Sequence, residues 1–412
     1  MKIIKSEIFF IVLFIINVVI PTFNNFELTF ATWSISALLT IQFRYSVGIL
    51  RLVFIKLIIV FIAFVSTLYY DYSDYKIIRD FTYLFKPILG LLIGYQLLKR
   101  IKTVNPFLMI VYGSLVLAII HFIILFVSFF VFNISSVNNI RTYGGYFSDF
   151  EVYGLVILLF SNKLNVELSK KRKLYFISII GLSVLVYFAR TNFIQLAILC
   201  FSLLGYFKLT LKSFRILTAF SFVIILSYAA IYHSNPRRNS RGLESFLYKV
   251  KIAPIEPFKT KINQNDWKEF NDNYRSFENI ITVRQVTYEG QRAIWFGKGL
   301  GSFIDIGREM WTNDGEYIRY VPTLHNSYMT ILLKSGLVGV FLMLIFLFYL
   351  QRKNKLNYPE IVKLNNLLLG TAVFLILSNW VFMGLYFKVD NKAIIIGYLI
   401  AYREEIQKKL DL

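Results

Sequence analysis

His325 and Asn326 stand where a polar segment turns apolar, and the polar side of that junction carries Arg275, Glu278, Arg284 and Arg292. A neutral imidazole can take a proton near neutral pH, which an unperturbed Lys or Arg cannot do. His325 is therefore a candidate general base toward a hydroxyl such as a sugar's. The bland alternative is an interfacial polar residue at a helix end. Gly297-Lys298-Gly299-Leu300-Gly301-Ser302 lies between the arginines and the histidine, and reads as flexible backbone beside the site. Arg275 and Glu278 have helical i, i+3 spacing, so a surface ion pair of little energetic weight is one reading of them.

Other cations fall where they could join this group. Arg190 sits in the very short connection between two apolar segments, the tip of a tight helical hairpin. A guanidinium this close to hydrocarbon is costly. It either grips a phosphate or pyrophosphate in bidentate fashion or snorkels to the headgroups. Arg141, followed by Gly144 and Gly145, puts a further cation and a turn on the same face, where it could line a substrate path. His121, in the middle of an apolar segment, reads as a satisfied bundle residue. The chain has no Walker loop, no Gly-x-Ser-x-Gly elbow, no His-Glu-x-x-His and no close aspartate pair of the kind a metal-dependent nucleotide-sugar transferase would show. Its one cysteine, Cys200, precludes an internal disulfide or a Cys-based zinc site. No metal site and no cofactor are expected, so the energy for a transfer must arrive with the substrate. A diphosphate leaving group neutralised by arginines would supply it.

The elements that must position these residues are apolar. Of 412 residues, 57% are hydrophobic and 18% aromatic, far from a soluble composition. The formal charge of +21 would point to nucleic acid in a soluble protein. Here the basic residues outside one large loop cluster in short connections between apolar segments, the pattern of the positive-inside rule, and no nucleic-acid partner is expected. Apolar segments at about 7–23, 26–43, 49–70, 77–98, 104–132, 150–161, 174–188, 191–207 and 214–232 precede the loop; 324–350, 364–386 and 393–402 follow it. The expected fold is thus all-α, a polytopic membrane bundle of about 12 transmembrane helices with a large loop between the ninth and tenth. The division is 1–232 for nine spans, 233–322 for the loop, and 323–412 for three spans and a short tail. Lys99, Arg100, Lys102 and Lys170 to Lys173 mark the cytoplasmic side, which holds both termini; the loop is translocated. Lys2 and Lys5 precede a first span retained rather than cleaved.

Arg275-Ser-Phe-Glu278, Gly297-Lys-Gly-Leu-Gly-Ser302, Leu324-His-Asn-Ser-Tyr328 and Lys334-Ser-Gly-Leu-Val-Gly339 resemble the O-antigen ligase/polymerase superfamily, the Wzy-type polymerases and WaaL-type ligases. The likeness covers roughly residues 190–346. It implies metal-independent glycosyl transfer on the outer face of the bacterial inner membrane, with the large loop periplasmic, from glycans linked to undecaprenyl diphosphate. Membrane lipids and a chain-length regulator would be further partners. On that resemblance His325 is the base on the acceptor hydroxyl, Arg190 and Arg275 bind the diphosphate, and Glu278 orients Arg275. Asn326, Arg141, Arg284 and Arg292 are further substrate-binding candidates. A polymerase is the first expectation, a ligase the alternative, and a flippase or transporter, kept in view by Arg79, Asp80 and Lys86, the alternative from another class.

Overall fold

The computed structural model describes residues 5–133, 143–145, 147–208, 210–238, 243–311, 317–351 and 358–410. Arg141, expected to line the site, lies outside them. The chain is 74% helical, with 16 helices among the described residues. In chain order they are α1 (Lys5–Val19), α2 (Phe26–Leu39), α3 (Val47–Thr67), α4 (Asp74–Arg100), α5 (Pro106–Phe130), α6 (Asp149–Leu159), α7 (Lys170–Val186), α8 (Arg190–Leu204) and α9 (Leu211–Ser234). The segment after α9 folds into α10 (Leu243–Ile252), α11 (Trp267–Asp272), α12 (Tyr274–Tyr288), α13 (Gln291–Phe296) and an antiparallel hairpin of β1 (Ile304–Trp311) and β2 (Tyr317–Val321). The chain then closes with α14 (Ser327–Gln351), α15 (Pro359–Val381) and α16 (Lys392–Lys409).

Each of the twelve apolar segments contains one of these helices. Six of them, α3, α4, α5, α9, α14 and α15, are long and apolar enough to cross a membrane. Others are shorter: α6, with 11 residues, rises only about 16 Å, roughly half of a hydrocarbon core. None of the most apolar stretch of α9 is buried, so that helix stands outside the bundle. At the centre α4 crosses α16 with backbones in contact. A Cβ on Gly94 would lie 1.9 Å from the Ile394 carbonyl oxygen, and one on Gly397 would lie 2.0 Å from that of Leu91. Small residues at such a crossing let helices approach closely where hydrophobic burial alone gives no direction.

The glycine segment before the hairpin is docked rather than flexible. Gly297, Gly299 and Gly301 all have positive φ, and a Cβ on Gly299 would strike the backbone of Thr67 at the end of α3. Helix α14 bends at Gly336 (φ 65), and at the bend the carbonyls of Leu333 and Lys334 accept from Lys298 N (2.7 Å) and Gly299 N (3.1 Å). Leu300 N donates to Thr67 Oγ1 at 2.7 Å. Under this segment Lys334 Nζ donates to Asp80 Oδ2 and to the Ser302 carbonyl. Gly301 N also donates to Asp80 Oδ2 (2.7 Å), and Arg79 donates to Oδ1 (2.9 Å). Both members of the Lys334–Asp80 pair have side chains only 1% exposed. Above it the inserted segment has its own apolar core, in which Phe277, Val286, Ile304, Val321 and Leu324 close over Leu333. The hairpin register is set at Ile304 opposite Val321 and Trp311 opposite Tyr317, with an irregularity between Asp305 and Met310.

Breaking this pair on one side leaves a buried charge. Lys334→Ala is expected to lower the unfolding temperature in detergent sharply, since removing one partner of a buried pair costs about 3–5 kcal/mol. Asp80→Asn together with Lys334→Met should recover much of the loss, because an uncharged replacement of both partners is often nearly neutral. A Lys334→Ala protein that melts with the wild type would show that the pair does not hold the fold.

Candidate functional site

His325 stands two residues before α14 begins at Ser327. Asn326 caps the helix, its Oδ1 accepting from Tyr328 N (2.9 Å) and Met329 N (3.3 Å). Such a cap satisfies amides that a helix start otherwise leaves without partners. Asn326 is buried, so the expected substrate-binding asparagine spends its oxygen on the helix end. The His325 backbone is held from two directions. Its N–H donates to Glu278 Oε2 at 3.1 Å, and its carbonyl accepts from Met383 N at 2.8 Å.

Glu278 projects from α12 with its side chain 1% exposed. The carboxylate also meets the imidazole, with His325 Nδ1 at 3.0 Å from Oε2 and 3.1 Å from Oε1. An ionised carboxylate only accepts, so Nδ1 carries the hydrogen, and in the neutral ring Nε2 is left as the basic nitrogen. Among the described residues Nε2 has no protein partner, and the side chain is 47% exposed. Tyr274, one turn before Glu278, packs its ring edge-to-face on His325 with centroids 5.8 Å apart. Burial, reinforced by the negative charge of Glu278, pushes the Tyr274 phenol well above its usual range, so it remains neutral. The result is one buried carboxylate, one oriented imidazole and one aromatic wall.

The arginines are arranged differently from the expected pattern. Arg275 does not pair with Glu278; its Nη1 donates to both oxygens of Glu256 at 3.1 and 3.2 Å. The Glu278 oxygens instead face His325. Arg275 nonetheless lies three residues from Glu278 on one helix face, about 5–6 Å away at the Cβ atoms. Arg190 opens α8 and donates from Nη1 to the Lys249 carbonyl at 2.5 Å. Arg190 and Arg275 thus hold the same stretch of chain, at Lys249 and at Glu256. Phe258, two residues further, stacks on Trp380 at 6.1 Å, and Trp380 also faces Tyr328 at 6.3 Å, which returns this stretch to the start of α14. Arg284 is exposed on α12 with no contact to the dyad, and Arg292 lies over the Tyr69 ring at 4.0 Å. His121 is buried and paired, its Nδ1 2.8 Å from Ser183 Oγ, as a bundle residue should be.

Sequence reasoning missed Tyr274 and Glu256. The signal for Tyr274 was present, since it precedes Glu278 by four residues and so lies on the same helix face. Glu256 carried none, standing outside any helix that holds the other groups. Among the described residues no group of three or more His, Cys, Asp or Glu is placed to hold a metal ion. No protein-family model matches this chain, and neither does any curated protein or solved structure, so the site's chemistry rests on its own geometry.

Proposed function

We propose that the chain is a membrane glycosyltransferase of the O-antigen polymerase type, acting at the outer face of the inner membrane. It would move a growing glycan from undecaprenyl diphosphate onto the next lipid-linked repeat unit. The observation that carries this reading is the buried Glu278 carboxylate holding both the backbone and Nδ1 of His325 while Nε2 stays exposed and unpaired. That is the arrangement of a general base with an orienting acid behind it. The acceptor hydroxyl gives its proton to Nε2 as its oxygen forms the bond to the anomeric carbon. The bond from that carbon to the diphosphate breaks, and the diphosphate leaves with the electron pair. The resulting imidazolium is stabilised by Glu278. Arg275 is the cation nearest to the dyad along its helix, and it would exchange Glu256 for the diphosphate; Arg190, which opens α8 and holds the same stretch at Lys249, is the second.

A ligase would share this donor and base but use another acceptor. Purified protein with lipid-linked repeat units alone separates the two. A ladder of products is expected; product formed only after a lipid A–core acceptor is added would make the chain a ligase.

Within that assay His325→Ala should lose about 10²–10⁴-fold in turnover while expressing and running as a monodisperse peak, because it removes the base and leaves the packed core intact. Normal ladders from this variant would return His325 to the bland reading. Glu278→Gln should reduce turnover less, and it has a second readout. Nitrogen-15 spectra of imidazole-labelled wild type should show the Nδ1-protonated tautomer of His325 at neutral pH, with the population shifting in the variant. Identical spectra would remove Glu278 from the orienting role. Turnover should also survive EDTA; a loss restored specifically by one divalent cation would overturn the arginine-based mechanism.

A further inference from the structure

The chain between α10 and α11 crosses Arg275 on a short stretch, residues 253–258, that is held in an unusual way. Its own backbone hydrogen bonds are local: Ala253 N donates to the Lys249 carbonyl (3.2 Å), Ile255 N to that of Ile252 (3.0 Å) and Phe258 N to that of Ile255 (3.0 Å). Pro254 and Pro257 have no N–H to give to a neighbour. Among the described residues, side chains alone tie the stretch to other elements. Ser276 Oγ donates to the Glu256 carbonyl, Arg275 meets the Glu256 carboxylate, and Phe258 stacks on Trp380. The root is firmer, because Arg190 and Tyr228 donate to the Lys249 and Lys251 carbonyls in the last turn of α10. A segment with exposed residues and no ladder to a neighbour can open locally while the fold around it stays closed.

The latch is also incomplete. Both Glu256 oxygens lie on one nitrogen, Arg275 Nη1, at 3.1 and 3.2 Å, while Arg275 Nε is buried with no acceptor. A guanidinium grips a carboxylate or phosphate best with two nitrogens at once, and a buried N–H left over costs free energy. At the far end Phe258 remains 71% exposed despite its stacking, so that contact covers little. The Trp380 Nε1–H beside it is buried and has no partner either. An acid that satisfies its arginine only in part is an occupant that a better-matched oxyanion can displace.

We propose that residues 253–258 are a strap that closes the Arg275 site when no ligand is bound, with Glu256 standing in for an oxyanion, and that a phosphate-bearing ligand opens it by displacing Glu256. The last turn of α10 is the fixed side of the hinge. The proposal rests on the transfer reading for the lipid diphosphate as the natural opener; the opening itself needs only the anion. The test uses the full chain in lipid nanodiscs with Cys200→Ser, nitroxides at Ile255→Cys and Val283→Cys, and inorganic pyrophosphate titrated against sodium chloride of matched ionic strength. The distance between the labels should lengthen with pyrophosphate and not with chloride. Glu256→Gln should show the longer distance without ligand and bind pyrophosphate severalfold more tightly by calorimetry, because closure no longer reduces the fraction of competent sites. Arg275→Gln should abolish the binding. Glu244→Gln, which removes a like charge from α10 without touching the latch, should leave the affinity as in the wild type. A label distance that saturating pyrophosphate leaves unchanged overturns the proposal. So does binding that survives Arg275→Gln, that Glu244→Gln tightens as much as Glu256→Gln does, or that neither the wild type nor Glu256→Gln shows. Turnover on lipid-linked repeat units is read separately: opening without turnover keeps the strap and removes the transfer reading, and turnover with a strap that stays closed does the reverse.

Discussion

The Lys334–Asp80 pair is the constraint on which the arrangement of the site depends. Two ions removed from water lose several kcal/mol each, and the loss is offset only when geometry and further hydrogen bonds are good. Here they are supplied by the Ser302 carbonyl, the Gly301 amide and Arg79. Three parts of the chain that are distant in sequence must therefore meet at one point: α4, the glycine segment and α14. Satisfying the pair also explains the bend at Gly336, where two α14 carbonyls receive amides from the glycine segment. Lys334 stands seven residues into α14, about 10 Å along the axis from its start, and His325 two residues before that start. The entry to α14 is thus held from below by the pair and from above by Glu278.

That double hold is what the proposed general base would need in order to meet a substrate in one orientation. An imidazole on a loose loop would have to be ordered in each cycle, whereas here the ring has its tautomer and tilt set before any ligand arrives. The arginines differ from it in this respect. Arg275 is closed on Glu256 and becomes available only by exchanging one anion for another. A resting partner of that kind keeps the guanidinium positioned and its charge compensated.

Much of the fold was legible in the sequence because apolar length is a local property. Each of the twelve apolar segments overlaps a helix, and six of these helices are long and apolar enough to cross a membrane. What failed was whatever depended on contacts across the chain. His325 was visible from its place at a helix start, but its partner lies 47 residues away in sequence, and helical spacing offered Arg275 to Glu278 instead. The glycine segment was read as flexible from composition. Positive φ combined with close backbone neighbours makes it a fixed joint, and composition carries no record of neighbours. Lys334 is the one charge in the apolar sequence of α14, and nothing local points to Asp80, 254 residues earlier.

The distance between the buried partners bears on how the chain is made. Asp80 and Asp149 emerge with the early helices, while Lys334 and Lys392, which neutralise them, are synthesised 254 and 243 residues later. Until then the first nine helices hold these two buried aspartates, with Arg79 the neighbour of one and Lys392 not yet present for the other. The half-made bundle must stay open enough to keep those carboxylates wetted or protonated. Only the arrival of α14 and α16 lets it close, so the last helices act as the keystone of assembly, and a product ending before residue 392 would carry an acid that marks it as unfinished.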